Sequence, residues 1–259
     1  MDHETQPGPP IFKRVLLKLS GESFCRPGGV GIDIDELSRI ARQVARVAGR
    51  GVELAIVVGG GNILRGATFT RGQDVIKEVT AHYMGMTATA INGLALLDAL
   101  EGMNCEARLM STIRMEEIAE PFIRRRALTH LKRGRVVILA TGTGVPFVTT
   151  DTAAAMRGKE LEAEVLLKAT RVKGIYSSDP EKNEHAVFYP ELTFDKVMQE
   201  NLKVMDMTAI GMCLENKLPI LVFDFKHDGN IESVIAGERI GTWVSDLPRP
   251  TKQPFEVGT

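Results

Sequence analysis

Two lysines lie inside apolar runs, Lys18 in VLLKL at 15–19 and Lys168 in EVLLKA at 164–169. A buried ammonium is costly unless it is paired or meets an anion, although a lysine on an edge strand can also snorkel to solvent. Lys18 runs into Ser20-Gly21-Glu22, where a glycine can expose backbone N–H groups to the same anion. Gly59-Gly60-Gly61-Asn62 follows another apolar run, and three glycines let a backbone approach a ligand closely. The spacing is neither GxGxxG nor GxxxxGK[ST], and a plain tight turn is the alternative. Arg65, just beyond, can fork onto a phosphate. The stretch from Gly142 to Asp151 adds Thr143, Gly144, Thr149, Thr150 and a carboxylate ahead of a helical pattern. Thr149, Thr150 or Asp151 can cap that helix, and a helix N-terminus favours anions, so the two roles are compatible. Asp179 lies in the loop GIYSSDP, and Asp206 precedes a further helix, where an N-cap is the ordinary reading. Lysines, aimed N–H groups and carboxylates of this kind suit the binding of phosphate groups.

The elements that position these residues follow from the pattern. Strand-like runs cover 15–19, 52–58, 107–110, 135–140, 164–169 and 219–223, rich in Val, Ile and Leu on both faces. Such runs belong to strands covered on both sides. Asp33-Ile-Asp-Glu36 resembles an acidic capping box, and Ile34, Leu37, Ile40, Ala41, Val44 and Val47 continue at helical spacing until Gly49-Arg-Gly51. Alternating strands and helices predict a three-layer α/β/α sandwich with a mostly parallel central sheet. In such sheets ligands bind beyond the carboxyl ends of the strands. The SGE, GGGN, TGTG and KAT segments all fall there, so four turns should converge on one edge.

The 259 residues are 44% hydrophobic and 25% charged, with a formal net charge of −1. That balance fits a globular protein with no global basic field for nucleic acid. No apolar run is long enough to span a bilayer, and MDHETQPGPP lacks the pattern of a secretory signal. Cys25, Cys105 and Cys213 form no CxxC pair, the five histidines show no metal spacing, and the eleven methionines read as core filler. A reducing cytoplasm is the expected setting. Proline-rich ends suggest tails at 1–12 and 246–259 around a single domain at 13–245.

In order, KLSGE, VVGGGNILRG, HYMGM, TGTGVPFVTTD, LLKATRVKGIYSSDP and LKVMDMTA resemble the UMP kinases of the amino acid kinase family, over nearly everything but the tails. The resemblance implies transfer of the γ-phosphoryl group of ATP to UMP with Mg2+, in a homohexamer activated by GTP and inhibited by UTP. It implies that Lys18, Ser20, Gly21, Gly61 and Arg65 bind ATP phosphates, with Arg65 shared with UMP. It places Thr170, Tyr176 and Asp179 around the adenine and ribose of ATP, and Gly60 and the stretch from Thr143 through Gly144 to Thr149 and Thr150 around UMP. Lys168 would neutralise the transferring group, Asp206 would orient Lys18, and Asp151 would help arrange the lysines. Arg26, Gly28, Gly29 and Gly31 lie where the family's GTP-response loop falls. His82 departs from the pattern, because many members carry an aspartate there that bonds the UMP ribose. A sibling kinase acting on a carboxylate or carbamate, and a non-catalytic nucleotide- or oxyanion-binding relative, are the alternatives.

Overall fold

The computed structural model describes residues 7–64, 76–180 and 182–250. The apolar run after Lys13 forms β1 (Arg14–Leu19), and α1 (Ile34–Ala48) follows. The Asp33 side chain accepts the Asp35 and Glu36 N–H groups at the start of α1, as its acidic capping pattern predicts. Then come β2 (Glu53–Val58), α2 (Glu78–Glu101), β3 (Ala107–Ser111), β4 (Glu120–Pro121), α3 (Arg124–Lys132), β5 (Val136–Ala140), α4 (Thr150–Glu160) and β6 (Val165–Thr170). The chain continues through β7 (Ile175–Tyr176), β8 (Phe188–Tyr189), β9 (Glu191–Leu192), α5 (Phe194–Gln199), α6 (Met207–Glu215), β10 (Ile220–Asp224), α7 (Asn230–Ile235) and β11 (Thr242–Val244).

Among the described residues nine strands form one sheet, in the order β4-β3-β5-β2-β1-β6-β10-β11-β9. All neighbours pair in parallel except β10 and β11. Two cores cover its faces. On one, Leu17, Leu19 and Val58 pack with Ile40 and Val44 of α1, Leu96 and Leu100 of α2 and Ile231 of α7. On the other, Leu16, Val57 and Leu166 pack with Leu131 of α3, Ala154 of α4, Val197 of α5 and Ile210 of α6. This is the expected three-layer sandwich, and it explains the unbroken apolar runs of the central strands.

The six predicted strand runs all form, with ends displaced by at most one residue. β4, β7, β8, β9 and β11 were not legible in the sequence, because two or three residues cannot display a period. β7 and β8 pair with each other outside the main sheet.

Parts of the expected tails pack on the domain. Arg50 donates to the carbonyls of Pro7 and Gly8, and Phe12 stacks on Trp243 at 6.5 Å. Arg249 lies over Trp243 and donates to the carbonyls of Glu238 and Ile240.

The chain order makes β1 the turning point of the sheet: β2, β5 and β3 lie on one side of it, β6 and β10 on the other. The crevice beyond the carboxyl ends at such a point is where open α/β sheets bind ligands.

Candidate active site

The β1–β6 register sets Lys18 directly opposite Lys168. Both point toward the face covered by α4 and α6, the face on which Leu16 and Leu166 are buried. Asp151, in the first turn of α4, bridges them. Its Oδ1 lies 2.8 Å from Lys18 Nζ and its Oδ2 accepts from Lys168 Nζ at 2.8 Å. Lys168 also donates to the Val204 carbonyl. The cluster is largely withdrawn from water, with side-chain exposures of 8% for Lys18 and 16% for both Asp151 and Lys168. Burial opposes ionisation of Asp151, yet the two ammonium groups outweigh it and hold the carboxyl below its ordinary value. Burial pulls Lys168 below the usual lysine value; Asp151 opposes that pull and the Lys18 ammonium adds to it.

Asp206 sits one step further out. Thr149 and Thr152 donate their hydroxyls to its carboxylate, and its Oδ1 accepts the Ala209 N–H at 2.9 Å, capping α6. The carboxylate in contact with Lys18 is therefore Asp151, whereas the resemblance gave the orienting role to Asp206. The physical reason is reach: the Asp206 oxygens are taken up by two hydroxyls and a helix terminus. Thr149 is the cap of α4, accepting from the Asp151 and Thr152 N–H groups, so one hydroxyl links the starts of two helices. The Cys213 thiol on α6 is pushed up to about 12 by burial and then by Asp151 and Asp206, which leaves it inert as a nucleophile.

The two glycine-bearing turns pack against each other. A Cβ on Gly21 would come within 2.2 Å of the Gly61 nitrogen, so only glycine permits this approach. Gly60 is also held closely by α2, where a Cβ would stand 2.9 Å from the Gly85 carbonyl oxygen. Ser20 shares a hydroxyl–hydroxyl contact with Ser23 at 3.2 Å. Arg171, directly after β6, donates to the carbonyls of Glu22 and Cys25 and ties the first turn to the next strand. Arg65 lies outside the described residues, as do the residues up to 75.

The turn after β5 forms a different kind of wall. Thr141, Gly142, Gly144 and Phe147 all have positive φ, and Gly144 packs on the Thr112 side chain. Thr143 bonds locally with Val145, and Thr150 opens α4. His82, on the first turns of α2, meets Phe147 with ring centroids 4.6 Å apart. The structure thus brings the departing residue of the HYMGM segment against the loop expected to hold UMP.

Thr170 ends β6 and donates to the carbonyls of Val172 and Phe223. Tyr176 and Asp179 follow on the β7–β8 excursion, where Tyr176 packs on Phe188 and Asp179 pairs with Lys182 at 3.3 Å. Arg26, in the glycine-bearing segment with Gly28, Gly29 and Gly31, pairs with Asp33 at 2.6 Å.

Several residues here escaped sequence reasoning. Asn92 and Thr152 lie outside the quoted motifs, and Arg171 and Val204 lie inside LLKATRVKGIYSSDP and LKVMDMTA without a role of their own. The one available signal was a polar Asn92 amid the apolar stretch of α2. Among the described residues there is no cluster of three or more His, Cys, Asp or Glu placed to hold a metal ion.

A mostly parallel three-layer sandwich with paired lysines at its turning point is the build of a phosphoryl-handling protein. The sequence profile of the amino acid kinase family matches residues 13–224, and the chain belongs to that family. Within it, the chain is similar to the UMP kinase of Bacillus anthracis, with 37% identity over 92% of this chain and 98% of that one and a TM-score of 0.88. It is similar to the UMP kinase of Ureaplasma parvum at 34% identity, covering 90% and 99%, with a TM-score of 0.84. The uridylate kinase of Archaeoglobus fulgidus matches at 25% identity over 89% and 99%, with a TM-score of 0.69.

Proposed function

We propose that this chain is a UMP kinase, a phosphotransferase that moves the γ-phosphoryl group of ATP to UMP and yields UDP and ADP. The observation that carries this reading is the bridge of Asp151 between Lys18 and Lys168, two mostly buried cations on adjacent strand ends sharing one carboxylate. Two lysines and one aspartate leave an excess positive charge in a place of low dielectric, suited to an anionic transferring group.

Phosphoryl transfer depends on positioning and charge neutralisation more than on covalent chemistry. The acceptor oxygen of UMP is already anionic near neutral pH, so no strong general base is needed. Lys18 and Lys168 neutralise the transferring group while Asp151 fixes both ammonium groups. Asp206 acts at one remove, holding the Thr149 and Thr152 hydroxyls and with them the start of α4. Ser20, Gly21, Gly61 and Arg65 take the ATP phosphates, and Thr170, Tyr176 and Asp179 take its base and ribose. Gly60, His82, Thr143, Gly144, Thr149 and Thr150 take UMP.

Both Asp151 oxygens are engaged by lysines at 2.8 Å, so this carboxylate fits the role of lysine holder and not that of a metal ligand. The residues suit a magnesium ion that is carried by the nucleotide and keeps most of its waters. When bound, Mg2+ supplies further neutralisation of the phosphate charge.

Cytoplasmic location, homohexameric assembly and control by GTP and UTP through the segment 26–31 belong to the same proposal. Val79, Tyr83 and Ile91 expose 43–45% of their surface on one side of α2, which supports association with other copies. No described helix is long and apolar enough to cross a membrane.

The test is ADP release from ATP and magnesium with UMP, CMP, dTMP, aspartate, N-acetylglutamate and carbamate offered separately. Turnover with UMP alone supports the proposal. Turnover with an amino acid or carbamate moves the function to a sibling kinase, and nucleotide binding without turnover favours a binding relative.

A further inference from the structure

Asn62 and Asn92 are the polar pair that the mechanism above does not use. They are 3% and 0% exposed, and a buried amide is costly unless its hydrogen bonds are made. Here all four amide hydrogens are accounted for. Asn62 Nδ2 donates to Asn92 Oδ1 at 3.0 Å and to the Gly31 carbonyl at 2.7 Å. Asn92 Nδ2 donates to Asn62 Oδ1 at 2.7 Å and to the Gly59 carbonyl at 2.7 Å. The Gly31 N–H returns a bond to the Asn62 carbonyl at 2.8 Å. A fully satisfied buried network of this kind is rigid.

The bond to Gly59 has a directional consequence. In a trans peptide the C=O and the following N–H point opposite ways. Anchoring the Gly59 oxygen on α2 therefore aims the Gly60 N–H away from that helix. Without the anchor the peptide is free to turn and present its carbonyl, the negative end, where an anion must sit. Gly60 itself is packed too closely on α2 to move as a body, so the orientation of this peptide is the remaining freedom.

We propose that Asn62 and Asn92 are positioning residues for phosphoryl transfer: together they orient the Gly59–Gly60 peptide at the UMP phosphate and link it to the segment ending at Gly31. This inference rests on the UMP-binding role given to Gly60 under the proposed function.

The experiment compares the full-length chain with Asn62→Ala, Asn92→Ala and the double variant. For each, kcat and the separate KM values for ATP and UMP are measured, with thermal melts as a control. The expected result is a kcat lower by about tenfold or more in each single variant, as for other lost aiming donors. The KM for UMP should rise and that for ATP should stay within about twofold, with the double variant no worse than the poorer single, because both changes remove one unit. Folded variants with lower melting temperatures and unchanged kinetic constants would overturn the proposal, leaving the pair a packing device. Multiplying effects would overturn it too, because the two side chains would then act independently. If Asn92→Ala does not fold, Asn92→Ser, which keeps one hydroxyl donor, is read in the same way. Repeating the constants with whichever acceptor the wild type turns over separates this proposal from the choice of acceptor: if that acceptor is not UMP, the variants must still raise the KM for it.

Discussion

Strand β1 buries two cations on the same face, and they are treated oppositely. Arg14, 9% exposed near the amino end, has its Nε 2.6 Å from Glu53, while Nη1 reaches the Leu161 carbonyl at 2.8 Å and Glu162 at 3.3 Å. Lys18, 6% exposed near the carboxyl end, shares the single carboxylate of Asp151 with a second lysine. One cation meets two carboxylates at the first site, whereas two cations meet one bridging carboxylate at the second. Burial is similar, so charge balance marks the difference. A compensated cation holds the bottom of the sheet together, and an undercompensated pair at the top keeps a positive field for a ligand to complete.

The largest test of this contrast is Asp151→Ala, which strands two ammonium groups. It should cost about 3–5 kcal/mol of stability in denaturant titrations and abolish turnover, while a saturating ATP analogue should restore part of the stability. Lys18→Ala and Arg14→Met form the next pair. Lys18→Ala should lower kcat by about 10²-fold yet change stability by no more than about 1 kcal/mol, because Asp151 keeps its bond to Lys168. Arg14→Met should behave inversely, losing about 3 kcal/mol as Glu53 is left unpaired, with kcat of the folded enzyme unchanged. A normal kcat in Lys18→Ala, or a collapsed one in folded Arg14→Met, breaks the comparison.

Titration sharpens it further. The Asp151 carboxyl is lowered from 3.8, so its contribution is complete above that pH and is lost as pH falls below it through the depressed value. Lys168 is lowered from 10.5, so the penalty for burying its charge is full below the depressed value and disappears as pH rises toward 10.5. Stability should therefore gain an alkaline increment that Lys168→Met lacks, and kcat should fall over the same range as the ammonium is lost. Unfolding free energies and pH–rate profiles of the two proteins check both signs.

The smallest expected effect lies on the acceptor side. His82→Ala removes the ring that meets Phe147 and should raise the KM for UMP by about two- to tenfold, in keeping with the ~0.5–1.5 kcal/mol of an aromatic contact. The kcat should not change, because His82 is absent from the lysine cluster. An unchanged KM would remove His82 from the UMP wall.

The sequence by itself determined the layered architecture, since Val-, Ile- and Leu-rich runs alternating with amphipathic helices can bury their apolar surface in few other ways. It also determined which residue types gather at the sheet edge, because the KLSGE, GGGN, TTD and KAT segments all follow or end strands. Asp33 and Thr149 were readable as helix caps because capping is local chemistry. Only the tertiary structure decided the pairings. Lys18 meets Lys168 through the β1–β6 register, across more than half the length of the chain, and no local signal encodes a register. Asp151 and Asp206 are both carboxylates in or beside a first helical turn, and which of them holds Lys18 depends on how α4 and α6 pack on the sheet. Asn92 reads as a stray polar residue until α2 lies beside the glycine turn and Asn62 completes its hydrogen bonds. Long-range geometry decided these contacts because hydrogen bonds and ion pairs act over a few ångströms in space, whatever the distance along the chain.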